Sequence, residues 1–270
     1  MHSDAMNPTN ASATATVPPA LRVEGLGVRY GALVALDGVG WEVAPGELLG
    51  IIGPNGAGKS SCYDAVTAMV RRGGRVSLHG RDVTAVPPYG LAGLGLKRAF
   101  QQNAFFDDLS VLGNFVAVLG ARAHSGLWSS VLNPVGAARR RGEAEDFAAR
   151  QLVRFGIPAL YHAMSPKEIP YGVQRMLSIA LAYGAGASVL LLDEPAAGLG
   201  GEDMAALVAL LSALKREGVA LVVIEHHMEL IMAVADRICV LDLGRQLAYG
   251  TPAEIQRDPR VREAYLGKAQ

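Results

Sequence analysis

The octapeptide GPNGAGKS, Gly53 to Ser60, fits G-x-x-x-x-G-K-[ST] at every fixed position. Glycines at 56 and 58 let the backbone curl, so that its N–H groups and the start of the following helix can surround phosphate oxygens. Lys59 would then reach the β- and γ-phosphates and Ser60 would hold magnesium, with Pro54, Asn55, Ala57 and Ser61 completing the loop. Further along, VLLLDEP puts Asp193 at the end of an apolar run, suited to a magnesium shell, and Glu194 beside it, suited to orient or deprotonate an attacking water. Two adjacent carboxylates there ask for a cation.

Three other positions bear on the same chemistry. His226 follows LVVIE and could contact a γ-phosphate. His227 next to it invites a metal reading, but adjacent residues of a helix face different ways and no H-x-x-x-H spacing is present. Gln101 in RAFQQN could touch magnesium or water, although Gln102 is equally polar, and Tyr30 in VRYGALVAL could stack on a base or stand as a half-exposed strand tyrosine. The arginine triplet at 139–141 is most simply a solvated face.

These groups need elements to position them. Residues 21–43 alternate Val, Leu and Trp with glycine turns and predict strands. GELLGII predicts a buried strand into the glycine loop, and SSCYDAVTAMVRR a helix that Gly73 and Gly74 stop. RVSLHGRDV predicts a strand and turn, and the composition from Ala104 to Gly184 shifts towards helix. Then follow a buried strand in SVLLLDEP, a helix over 202–217 with Leu207, Leu210, Leu211 and Leu214 on one face, and a strand in VALVVI. A helix around MELIMAVAD, a hairpin in RICVLDLGRQLAYG and a polar helical tail complete the pattern. Strands alternating with helices imply a mainly parallel sheet with ligand groups at the carboxyl ends of its strands.

Composition narrows the setting. The 25 basic and 25 acidic side chains cancel, which gives no electrostatic case for nucleic acid as the partner. Two cysteines, Cys62 and Cys239, each within an apolar stretch, argue against a disulfide framework and for burial in a reducing compartment. No apolar stretch approaches the roughly 20 residues that span a bilayer. The first twenty residues have neither the basic nor the apolar region of a secretion signal and read as a disordered tail.

Taken in order and at these intervals, GPNGAGKS, FQ, YGVQR, VLLLDEP, AGL and IEH resemble the ATP-binding-cassette ATPases, over about residues 21–267. YGVQR, LLLDEPAAGL, IEHHMELIMAVADRICVLDLG, YGTPAEI and VREAYLG look more closely like the ATPase subunits of branched-chain amino acid importers. The resemblance implies an α/β P-loop NTPase cassette with a mainly parallel core sheet, an antiparallel β subdomain and a helical subdomain at about 104–184, the cassette spanning 21–253 and a helical tail 254–270. It implies ATP and Mg2+ as ligands. It also implies a peripheral place on the cytoplasmic side of the membrane, beneath two membrane-spanning permeases, as a homo- or heterodimer of cassettes served indirectly by an extracytoplasmic binding protein. The cargo would be branched-chain amino acids or a related solute such as urea, amides or aromatic acids, with lipopolysaccharide export or a non-transport ATPase as alternatives. By that carry-over Tyr30 stacks on adenine, Gln101 couples to the permease and joins the metal shell, and His226, as the switch histidine, is catalytic along with Glu194.

Two departures follow from the same comparison. The family's Leu-Ser-Gly-Gly-Gln signature falls on Ile169 to Val173, so Pro170, Tyr171, Gly172, Val173 and Gln174 lack its serine hydroxyl. The N–H groups of Gly172 and its successors, with the helix dipole, are then expected to carry the contact to a partner's ATP. Gly200 stands where the family has asparagine or aspartate, which predicts a weaker contact between dimer halves.

Overall fold

The structure, a computed structural model, describes residues 18–99, 105–123 and 134–266. Gln101 and residues 1–17 of the expected tail lie outside the described residues. Ala20, assigned to that tail, is buried, and its N–H bonds to Val43 O at 2.8 Å.

Two sheets carry the fold. Strands β1 (Leu21–Tyr30) and β2 (Leu33–Val43) form an antiparallel hairpin, and with β4 (Gly73–Leu78) and β5 (Arg81–Asp82) they build a four-stranded antiparallel sheet in the order β2-β1-β4-β5. The second sheet contains β3 (Leu48–Ile52), β6 (Leu96–Ala99), β7 (Val189–Asp193), β8 (Ala220–Ile224), β9 (Arg237–Asp242) and β10 (Arg245–Gly250). Its order is β10-β9-β3-β8-β7-β6, parallel throughout except that β10 closes one edge as the antiparallel arm of the expected hairpin.

The central strands are apolar without alternation because both of their faces are covered. Leu190, Leu192, Leu221 and Val223 join one core layer; Val189, Leu191, Val222 and Ile224 join the other. The first layer packs against helices α3 (Val111–Ala123), α4 (Pro134–Arg154), α5 (Tyr171–Gly184) and α6 (Gly201–Arg216), and the second holds α1 (Lys59–Val66) and the antiparallel sheet. Short helices α2 (Pro88–Gly93), α7 (Met228–Val234), α8 (Pro252–Arg257) and α9 (Pro259–Leu266) complete the described residues. Leu207, Leu210, Leu211 and Leu214 are the buried face of α6, as their spacing predicts.

The expected length of α1 needs correction. The helix ends at Val66, and Gly73 and Gly74 belong to β4. The backbone itself makes the early stop: Ala68 turns left-handed at φ +59°, its N–H bonds to Ala65 O at 3.0 Å and the Met69 N–H to Asp64 O at 2.8 Å. Arg72 then covers the freed carbonyls, donating to Ala65 O, to Val66 O at 2.9 Å and to Thr84 O at 3.0 Å. Among the described residues no helix is long and apolar enough to cross a membrane.

Candidate functional site

The carboxyl ends of β3, β7 and β8 lie side by side, and each passes into a functional segment. After β3, the loop turns into α1 through Gly58, whose φ of +100° is a left-handed conformation. A Cβ there would stand 2.7 Å from Ala35 O and 2.8 Å from Leu36 Cδ2, so only glycine lets the loop press on β2. Below it, the buried Tyr63 hydroxyl donates to Val222 O at 2.6 Å and accepts Ile224 N–H at 3.1 Å, fixing α1 to the end of β8.

Lys59 folds back over its own loop, donating to Gly53 O at 2.6 Å and Pro54 O at 3.1 Å. Burial pulls its ammonium below the usual lysine range, while the Glu194 and Asp193 carboxylates nearby pull it back up. Glu194 has a φ of +46°, uncommon for a residue with a side chain, and its N–H bonds to Ile224 O at 2.9 Å. His226 Nδ1 lies 3.7 Å from Glu194 Oε1.

One open cleft of about 440 Å³ gathers these parts. Tyr30, Asn55, Gly56, Gly58, Lys59, Ser60, Ser61 and Glu194 line it, together with Val34 and Leu243. The half-exposed Tyr30 therefore shares this cleft with the phosphate loop. Asp193 is buried beneath, paired with Arg98 at 2.9 Å.

The signature residues take another place. Pro170 caps α5 in extended conformation, Gln174 N–H bonds back to Pro170 O at 3.0 Å, and its side chain donates to Ile169 O at 3.0 Å. Tyr171 is exposed, with the Arg175 guanidinium 5.2 Å over its ring, and Val173 packs against the core. Pro170 to Gln174 are not among the described residues that line the cleft. Gly172 is buried, and a Cβ on it would meet the Asp203 carboxylate, with Oδ2 at 2.4 Å, so a larger residue there must displace that side chain.

Three site residues escaped the sequence reading. Glu225 is fully buried: its Oε1 accepts Ala196 N–H at 2.7 Å, and its Oε2 accepts the N–H groups of His226 at 2.9 Å and His227 at 3.2 Å. Glu225, His226 and His227 bring possible ligand atoms within 4.8 Å of one another, and the Glu225 carboxylate already serves the backbone N–H groups of Ala196, His226 and His227. Arg98 is the second and Tyr265 the third, the latter hydrogen-bonded to the Gly53 backbone, with burial pushing its phenol up to about 12. A carboxylate directly after an all-apolar strand was the one available signal for Glu225.

This geometry can cradle phosphates against a loop and a lysine, with a carboxylate poised opposite. Residues 36–197 match the ABC transporter family profile, across the loop, both carboxylates and the α5 segment. The chain belongs to the ABC transporter family, as one of its ATPase cassettes. Residues 245–270 of this ABC cassette further match the profile described as branched-chain amino acid ATP-binding cassette transporter. The cassette is 37% identical over 254 residues to the high-affinity branched-chain amino acid transport ATP-binding protein LivG of Escherichia coli (strain K12), covering 93% of this chain and 99% of that protein. It is 34% identical over 253 residues to the corresponding protein BraF of Pseudomonas aeruginosa, with 93% and 99% covered. Its fold is similar to the crystal structure of a nucleotide-free ATP-binding cassette from an ABC transporter, at a TM-score of 0.78 and 25% identity over 93% of this chain and 100% of that one. ABC cassettes bind ATP, and the importer branch is favoured here over lipopolysaccharide export by the C-terminal match.

A magnesium ion would find a fitting donor set. Ser60 and Asp193 offer hard oxygen ligands, and the Arg98 guanidinium is paired with only one of the two Asp193 oxygens, Oδ2.

Proposed function

We propose that this ABC cassette hydrolyses ATP to drive uptake of branched-chain amino acids through a membrane importer. The observation that carries the ATPase assignment to residues is one cleft holding Lys59, Ser60 and Glu194, with His226 Nδ1 3.7 Å from the Glu194 carboxylate. On this reading Tyr30 stacks on the adenine. Loop N–H groups from Gly53 to Ser61 and the Lys59 ammonium bind the phosphates, Glu194 orients and deprotonates water, and His226 holds the γ-phosphate side of the site. Ser60, Asp193 and Gln101 would hold Mg2+, which supplies charge neutralisation on the phosphate oxygens.

Two cassettes would close face to face, with Pro170 to Gln174 of each presenting the start of α5 to its partner's ATP. Residues 21–253 form the cassette, about 104–184 its permease-facing helical part, and 254–270 its tail. The assembly sits on the cytoplasmic face of the membrane beneath two permeases, supplied by a binding protein outside. The C-terminal match and the LivG and BraF likenesses support the cargo.

Affinity purification from native membranes, followed by reconstitution, tests this reading. Recovery of importer-type permeases, and leucine uptake that needs ATP, are expected. Ribosomes or an export complex in their place would overturn it.

A further inference from the structure

Arg98, in β6, is one-tenth exposed and shared between two carboxylates. Its Nη1 stands 2.6 Å from Asp64 Oδ1 on α1, and its Nη2 2.9 Å from Asp193 Oδ2 at the end of β7. Its guanidinium carbon lies 5.4 Å from the centre of the Tyr63 ring, whose hydroxyl already ties α1 to β8. One planar fork therefore spans the phosphate-loop helix, the strand that delivers Asp193 and the strand that leads to position 101. A guanidinium keeps its charge at any working pH and serves two acceptors through separate edges.

That charge sits where it must matter. A divalent ion held by Asp193 feels the guanidinium as a repelling neighbour and as a rival for Oδ2, and in a buried setting this is weakly screened. Asp64 draws one amino group of the fork away and so limits the rivalry. We propose that Arg98 is a positioning residue that sets the divalent-ion affinity of Asp193, with Asp64 as its counterweight. The proposal rests on the reading of Asp193 as a metal ligand.

The two partners then have opposite effects. Arg98→Met removes the rival cation and leaves two uncompensated carboxylates, so metal affinity rises, on the order of tenfold. Asp64→Asn removes the competing carboxylate, so the guanidinium weighs more heavily on Asp193 and affinity falls, by about threefold. A residue that only holds the fold lowers thermal stability in both variants without driving affinity in opposite directions.

The test is Mn2+ titration of the full chain with saturating ADP, followed by electron paramagnetic resonance, with a thermal melt of each variant. Opposite shifts support the proposal; shifts of the same sign, or none, overturn it. Should Arg98→Met fail to fold, Asp64→Asn decides alone, and unchanged or tighter Mn2+ binding there overturns the proposal. Asp193→Asn separates the two levels: wild-type Mn2+ binding in that variant defeats the underlying ligand reading, whereas lost binding there with unmoved Arg98 and Asp64 variants defeats only the role of Arg98.

Discussion

The Glu225 carboxylate accepts the Ala196 N–H at 2.7 Å, so the residue that follows β8 pins the loop that follows β7. Its other oxygen holds the N–H groups of His226 and His227. The histidine beside Glu194 and the segment running on to Gly200 are thereby set by one buried group. Glu225→Gln keeps the shape but exchanges one acceptor oxygen for a donor that faces an N–H. Stability is expected to fall by about 1–3 kcal/mol in denaturant melts. Turnover should fall at least about tenfold, with ATP affinity changed less than about twofold, as expected when a group acts on the reacting geometry alone. An unchanged kcat would remove the coupling role.

On the proposed reading Lys59 serves binding and Glu194 serves chemistry. Lys59→Ala is expected to abolish ATP binding, measured by fluorescent-nucleotide titration. Glu194→Gln should bind ATP and accumulate an ATP-bound dimer on size-exclusion chromatography. Normal turnover in Glu194→Gln would sink the role given to it.

Gly172 faces Asp203 within the same chain. Gly172→Ala places a methyl where Asp203 now stands and should displace the start of α5, with ATPase activity reduced about tenfold or more and stability lowered by about 1–3 kcal/mol. Adding Asp203→Ala makes room, so the double variant should regain most of both. Failure of that rescue, with activity still absent, would move the need for glycine to the partner's ATP.

Gly200 caps α6 with φ −89°, and a Cβ there would meet nothing within 4 Å. Gly200→Asn should therefore add a side-chain cap and raise stability by a few tenths of a kcal/mol, visible as a small rise in melting temperature. A lower melting temperature would contradict the open geometry. If the residue also meets a partner cassette, dimer formation in the Glu194→Gln background rises with it.

Cys62 and Cys239 are free and buried. Burial pushes the Cys62 thiol up to about 12 from 9.0 and raises Cys239 further. A thiol pKa raised on folding adds stability that is complete below the unfolded value and is lost as pH climbs through the folded one. Stability should accordingly decline between pH 9 and 12. In native protein at pH 8 neither thiol should react with a disulfide reagent, whereas denaturant should release two equivalents.

Much of the fold was legible because the strand signals were strong: unalternating apolar runs of four or five residues at β3, β7 and β8 ask for cover on both faces. The loop, Asp193 and Glu194 were legible because glycine spacing and a carboxylate after an apolar run are local patterns. What stayed hidden depends on distant pairs. An alanine, Ala68, takes the left-handed turn that ends α1, and Arg72 covers the carbonyl of Val66, while nothing in RRGG announces which arginine turns inward. Arg98 looks like an ordinary strand charge until Asp64 and Asp193 come together across 34 and 95 residues of sequence. Gly172 was legible as a special position, but its neighbour Asp203 sits on another helix.

The Lys59 ammonium donates to its own loop, through Gly53 O and Pro54 O. On the proposed reading, a phosphate that takes the Lys59 ammonium displaces one or both of these carbonyl oxygens, so capture is an exchange of hydrogen-bond partners and its net gain is smaller than the gross attraction between the charges.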